Sequence, residues 1–273
     1  MTRFCLLFLT ICLYSLPGFA TGDAVKGEYV LQMGGCISCH QTPKRNHAEL
    51  GGGHAIKTPF GTFYVPNITP DPDTGIGGWT DEDFIQAMTK GISPEGSHYF
   101  PAFPYTSYAK MSQADLIDLK AYLDTVAPIK NAVPNHDLSF PFNMRFLMFA
   151  WKMMFFDDAP FKINPDKSDQ WNRGAYIVNG PSHCGECHTP RNIFGALNAD
   201  MKFKGNPVGP DNEKIPSMLP QWEKADFLTV LRMGMTPDGD FLGGSMGHVI
   251  KRTTSKLTKE DLHAVATYLS EYE

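Results

Sequence analysis

Cysteine is scarce in this chain, six residues in 273, and two of the six, Cys5 and Cys12, fall within the first twenty positions. That is too few for a scaffold held by many disulfides. A basic excess is missing as well: 24 Lys and Arg stand against 29 Asp and Glu, a formal charge of −5, without the electrostatic footprint of a nucleic-acid-binding protein. Beyond the N-terminus there is no apolar run of membrane-spanning length. The strongest candidate, residues 140–156, is broken by Asn143, Arg145 and Lys152 and is too short and too charged to cross a bilayer.

The opening "MTRFCLLFLTICLYSLPGFA" has a basic residue, an apolar run and a small-residue end, the form of an export signal cleaved after Ala20. An uncleaved anchor is the lesser reading, and Ile11 before Cys12 argues against a lipid-modified cysteine. Residues 1–20 are therefore expected to be a signal peptide and the mature chain periplasmic. Four cysteines then remain, Cys36 and Cys39 in "CISCH" and Cys184 and Cys187 in "CGECH".

Both pairs have the form CxxCH. Two thiols at this spacing match the two vinyl groups of a haem, and the following His40 or His188 can bind the iron from the same side. A redox dithiol and a zinc site also use CxxC. Zinc would need the two pairs to converge, yet they are 148 residues apart and each has its own flanking repeat. The expectation is two covalently bound haem c groups, held by Cys36, Cys39 and His40 and by Cys184, Cys187 and His188.

The repeat runs through the chain. "GEYVLQMGG" and "RGAYIVNGPSH" precede the two motifs, pairing Tyr29 with Tyr176, and both are expected as helices. "GWTDEDFIQAMTKG" parallels "QWEKADFLTVLRMG", with Trp79 against Trp222, Phe84 against Phe227 and Gly91 against Gly234. Thr80 with Asp83 is a capping box, and Gly91 ends the helix. Each half closes with a periodic helix, "MSQADLIDLKAYL" and "LTKEDLHAVATYL", with capping boxes expected at Ser112 with Asp115 and Thr258 with Asp261. The predicted class is all-α, with a first unit at residues 21–128, a connecting strap at 129–168 and a second unit at 169–273. Helix, CxxCH, loop, middle helix, Met-bearing loop and closing helix resembles the class I cytochrome c fold, taken twice.

For the second haem, Met246 in "GGSMGHVIKRTTSKLT" stands on what reads as a Gly-rich loop and is the expected sixth ligand, with His248 as rival. Aligning "KGISPEG" with "MGMTPDG" puts Phe103 of "HYFPAFPY" against Met246, 143 positions on, and a phenylalanine cannot bind iron. For the first haem Met111 is the leading ligand, with His98 or an open site as alternatives. The strap is expected to lie buried between the units, a partner-docking or membrane-surface patch being the other reading. Trp79 and Trp222 are candidates for haem propionates or for core packing, and Arg191 for a propionate or for solvent. His47 and His54, in a Gly-rich loop without carboxylate or cysteine at ligand spacing, are not expected to bind metal.

"TPFGTFYVPNITPDPDTGIGGWTDEDF", "YFPAFPYTSYAKMSQADLIDLKAYLDT" and "WNRGAYIVNGPSHCGECHTPRN" together resemble the multihaem cytochrome c subunits of periplasmic membrane-associated dehydrogenases, such as those of gluconate and alcohol dehydrogenases. Many members read "PAMPY" where this chain has "PAFPY". The resemblance implies a relay of single electrons from a dehydrogenase partner toward the respiratory chain, with peripheral membrane association as a possible accompaniment. A self-sufficient dihaem enzyme of thiosulfate dehydrogenase or peroxidase type, using an open first haem, is the competing reading. A haem-based gas sensor ranks below both, since no signalling domain is recognisable.

Overall fold

Helix start and stop signals act where the sequence places them. A computed structural model describes residues 21–42, 50–209 and 212–272; residues 1–20, expected as an export signal and containing Cys5 and Cys12, and His47 lie outside the described residues. The first half contains α1 (Ala24–Met33), α2 (Cys36–His40), α3 (Asp81–Lys90), α4 (Tyr105–Tyr108) and α5 (Gln113–Leu123). After α6 (Leu147–Phe155) the second half runs through α7 (Asp169–Asn179), α8 (Gly185–His188), α9 (Lys224–Met233), α10 (Gly244–Arg252) and α11 (Lys259–Ser270). On α3 the Thr80–Asp83 capping box is complete and Gly91 ends the helix at φ 61°. Gly234 does the same for α9 at φ 79°.

The first and last helices of each half cross at a glycine. A Cβ on Gly27 of α1 would lie 1.9 Å from the Asp118 carbonyl oxygen on α5, and one on Gly174 of α7 would lie 2.0 Å from that of Ala264 on α11. No other residue permits backbones this close. The crossings feed one continuous core, in which Leu31, Met33, Leu116 and Leu119 of the first half join Ile177, Val178, Leu262 and Val265 of the second.

The repeat register is visible as geometry. An isolated bridge joins Ile92 to His98, and its counterpart 143 positions on joins Met235 to Phe241. The amide of Tyr99 then bonds to the Gly91 carbonyl, as Leu242 bonds to Gly234. Beyond that point the halves part, the second being three residues longer before its closing helix, as the 146 positions from Met111 to Leu257 show.

Three expectations need correction. The class is mostly helical rather than all-α, because β1 (Ala55–Thr58), β2 (Gly61–Tyr64) and β3 (Asp137–Leu138) form an antiparallel sheet in the order β1-β2-β3. The β1–β2 turn closes at Gly61, with φ 125° and its Cβ position 2.3 Å from the Asp137 carbonyl oxygen. On α5 and α11 the capping boxes form halfway: the N-cap hydroxyls of Ser112 and Thr258 accept the amides of Asp115 and Asp261, both at 3.1 Å, but each N-cap amide goes to a tyrosine hydroxyl.

The strap, thirdly, is buried on one face only. Met148 and Trp151 of α6 pack with Phe63, Phe100, Tyr105 and Ala196, whereas Phe146, Phe149 and Met153 are exposed. The cations that interrupt its apolar run point inward to carbonyl oxygens. Arg145 donates to the His98 carbonyl at 3.1 Å, and Lys152 to those of Lys90 and Gly91 at 2.6 and 2.7 Å, capping the end of α3. Among the described residues no helix is long and apolar enough to cross a membrane.

Candidate haem-attachment sites

In both halves the CxxCH motif forms a single helical turn, α2 and α8. Residues three and four apart share a helix face, so Cys36, Cys39 and His40 face one way, as do Cys184, Cys187 and His188. The residue before the first cysteine is left-handed each time: Gly35 at φ 61° and His183 at φ 40°. Glycine takes this conformation freely, while His183 bears a cost of about 1 kcal/mol.

Each motif histidine is held by a proline carbonyl. His40 Nδ1 lies 2.8 Å from the Pro66 carbonyl oxygen and His188 Nδ1 lies 2.9 Å from that of Pro216. A carbonyl can only accept, so Nδ1 carries the proton and Nε2 keeps a free lone pair, the arrangement a metal-binding imidazole needs. Burial depresses both imidazoles, His40 to about 4 despite its Pro66 bond, so both are neutral at pH 7.

The thiol surroundings weigh against a redox dithiol. Burial, with the neighbouring cysteine next, pushes Cys36 and Cys184 up to about 12, and burial with Glu186 pushes Cys187 to about 11. A reactive dithiol needs the opposite shift. No three His, Cys, Asp or Glu side chains gather as a metal site among the described residues. The buried hydroxyls of Ser38 and Thr42, within two residues of His40, find no partner there either, leaving donors for a bound polar group. The donor set fits a thioether-linked haem at each motif.

The segments expected to supply sixth ligands differ. Phe103 is wedged among the rings of Tyr99, Tyr105 and Tyr108, with centroids 5.5, 6.3 and 5.8 Å away. Met111 is buried just before α5, as Leu257 is before α11. His98 Nδ1 faces the Lys152 ammonium at 3.0 Å, on the strap side. In the second half Met246 stands in the first turn of α10 rather than on a loop, because Met246, Val249 and Ile250 have helical spacing and Gly244 at φ 55° starts the turn. Met246 is half-buried and His248 exposed.

Trp79 and Trp222 pack against the core, Trp222 edge-on to Phe227 at 5.6 Å. Arg191 meets neither solvent alone nor an open site: it pairs with Glu186 inside the second CxxCH and donates to the Gly195 carbonyl at 2.7 Å. Glu186 itself was passed over in the sequence. It is buried and accepts from Thr106 and Ser107 of the first half at 2.6 and 2.9 Å. Pro66 and Pro216 were missed as well; they lie 26 and 28 residues beyond their histidines, and the one available signal was that both halves place a proline at nearly the same distance.

A sequence profile of the cytochrome c family matches residues 24–127. The chain is 45% identical over 255 residues to a protein of Cereibacter sphaeroides called "Diheme cytochrome c-type", covering 91% of this chain and 86% of the other. It is 38% identical over 260 residues to the cytochrome c subunit of the quinone alcohol dehydrogenase of Gluconacetobacter polyoxogenes, covering 89% and 54%. To the cytochrome c subunit of gluconate 2-dehydrogenase of Pantoea cypripedii it is 33% identical over 277 residues, covering 95% and 62%. The chain thus spans between half and two thirds of the length of these two dehydrogenase subunits.

Proposed function

Since the chain belongs to the c-type cytochromes, in the group that includes dihaem cytochromes and dehydrogenase cytochrome c subunits, we propose that it carries two haems on two tandem class I units and relays single electrons in the periplasm. The repeated pairing of a one-turn CxxCH helix with a histidine whose Nδ1 is bonded to a proline carbonyl carries this reading. Cys36, Cys39, Cys184 and Cys187 hold the two haems and His40 and His188 bind their irons. Met246 is the sixth ligand of the second haem and Met111 that of the first. The bound iron supplies a one-electron change of oxidation state, while the chain fixes ligands, excludes water and sets orientation. The donor is a dehydrogenase subunit, by likeness to the named relatives, and the acceptor a member of the respiratory chain. Residues 1–20 direct export, and the exposed face of α6 allows peripheral membrane association.

Haem stoichiometry of the mature, purified chain, by intact mass and by pyridine haemochrome, tests the proposal. Two covalent haems per chain are expected, and one or none would overturn it. A ferric first haem that is high-spin and binds carbon monoxide when reduced would turn the assignment toward the self-sufficient enzyme.

A further inference from the structure

A residue of the opposite half has entered the cap of each closing helix. At α11 the Tyr29 hydroxyl, from α1, donates to the Asp261 carboxylate at 2.7 Å and accepts the amide of Thr258 at 3.1 Å. At α5 the Tyr176 hydroxyl, from α7, donates to the Asp115 carboxylate and accepts the amide of Ser112 at 3.0 Å. The contacts are reciprocal, as in an isologous dimer: each half's first helix caps the last helix of the other. A phenol suits the place because one oxygen both donates and accepts. It takes the N-cap amide that the aspartate would otherwise take in a closed box, and it satisfies that aspartate in return.

The same seam carries the CxxCH segments. Ser182 donates to the Met33 carbonyl at 2.8 Å, and the Pro181 carbonyl oxygen lies 3.6 Å from the Cβ position of Gly34. Arg252 of α10 donates to Gln41, next to His40, at 2.9 Å, while Thr106 and Ser107 of the first half hold Glu186 inside the second motif. The rings of Tyr108 and His183 meet at 5.6 Å between the two motifs. Each attachment helix is therefore bonded to the other half within a residue or two of its cysteines and histidine.

Resting on the dihaem reading above, we infer that Tyr29 and Tyr176 are positioning residues whose crossed hydroxyls fix one CxxCH helix against the other and so set the gap that an electron crosses between the two irons. In that step one electron leaves a ferrous iron and reduces a ferric one; no bond forms or breaks and no proton moves. Both phenols remain protonated and able to donate, since burial first of all raises them. The clasp has two arms, so losing one should loosen the seam and losing both should free it.

The test uses the holoprotein with Tyr29→Phe, Tyr176→Phe and both together, each change removing a hydroxyl and keeping its ring. Haem stoichiometry of the parent comes first: fewer than two haems contradicts the dihaem reading and this inference with it. With two haems present, hydrogen exchange should show a crossed pattern. Tyr29→Phe speeds exchange at the start of α11 and Tyr176→Phe at the start of α5, each roughly 3- to 10-fold, the scale of one net hydrogen bond. The interhaem exchange rate after flash photoreduction should fall in each single variant and further in the double. Loosening confined to the substituted half, unchanged amides, or crossed loosening with an unaltered exchange rate would each overturn the inference while leaving the dihaem reading intact. Should a phenylalanine variant fail to fold, Asp115→Ala removes the acceptor of the Tyr176 hydroxyl and is held to the same outcomes.

Discussion

In the first half the stretch before the closing helix is a four-residue turn, α4, with Phe103 among three tyrosines, Met111 buried behind it and the strap helix packed alongside. In the second it is the nine-residue α10, with Met246 half-buried in its first turn and Phe241 and His248 exposed nearby. From α3 and α9 to Tyr99 and Leu242 the halves agree closely at an offset of 143 positions; at the CxxCH motifs before them the offset is 148, with the β1–β2 hairpin in the first half, and after them the halves diverge again. The CxxCH side of each candidate site is common to both, and the side expected to supply a sixth ligand varies. Three added residues separate the two registers, so the second half builds a helix that brings its own methionine, and the first half fills the place with an aromatic box around Phe103. Solvent exposure, axial ligand and local charge set a haem's potential, so two sites built this unequally should have different potentials.

The largest expected effect tests what the halves share. Gly27→Leu and Gly174→Leu each force a side chain into a carbonyl 1.9 or 2.0 Å from the Cβ position, and each should destabilise its half by more than about 4 kcal/mol in thermal or denaturant unfolding. Tolerance of either would break the claim of one scaffold used twice. Ligand changes test what differs: Met246→Ala should turn only the second haem high-spin, and Met111→Ala only the first. A spectrum unmoved by either variant removes that methionine from the ligand set.

A smaller effect concerns Asp261. Burial works to raise its carboxyl, but bonds from Arg173 at 2.7 and 2.8 Å and from Tyr29 outweigh it and hold it below the usual range. A depressed folded pKa means that this contribution is complete above the unfolded value near about 3.9 and disappears as the pH falls through the folded value. Asp261→Asn should therefore cost about 2 kcal/mol at pH 7 and almost nothing at the lowest pH at which the fold survives, read from unfolding curves across pH. A cost independent of pH would contradict the assignment. The smallest effect is at His183: replacing it by Gly relieves about 1 kcal/mol of left-handed strain and forfeits a ring contact with Tyr108 of about the same size, so stability should move by less than about 1 kcal/mol.

The residues of the attachment motifs were legible because covalent chemistry fixes their spacing: Cys36, Cys39 and His40 must be neighbours in sequence to be neighbours on one helical turn. The middle helices were legible too, since Thr80, Asp83 and Gly91 act on backbone groups only three or four residues away. What stayed hidden depends on distance. Pro66 and Pro216 reach their histidines across loops, and Gly27 and Gly174 matter only because another helix crosses them. Tyr29 and Tyr176 were paired as repeat positions, but nothing local says that each belongs to the cap of the opposite half. The strap misled for a related reason: Arg145 and Lys152 read as interruptions of a buried run, whereas they are its inward anchors and the phenylalanines its exposed face.

The most direct measurement is electron-spin resonance of the purified ferric holoprotein, repeated optically after reduction under carbon monoxide. The account predicts two low-spin haems of distinct signature, neither of which binds carbon monoxide, with Met111 and Met246 completing the two irons. A high-spin signal from a haem that takes up carbon monoxide would contradict it and leave the aromatic box around Phe103 as the wall of an open site.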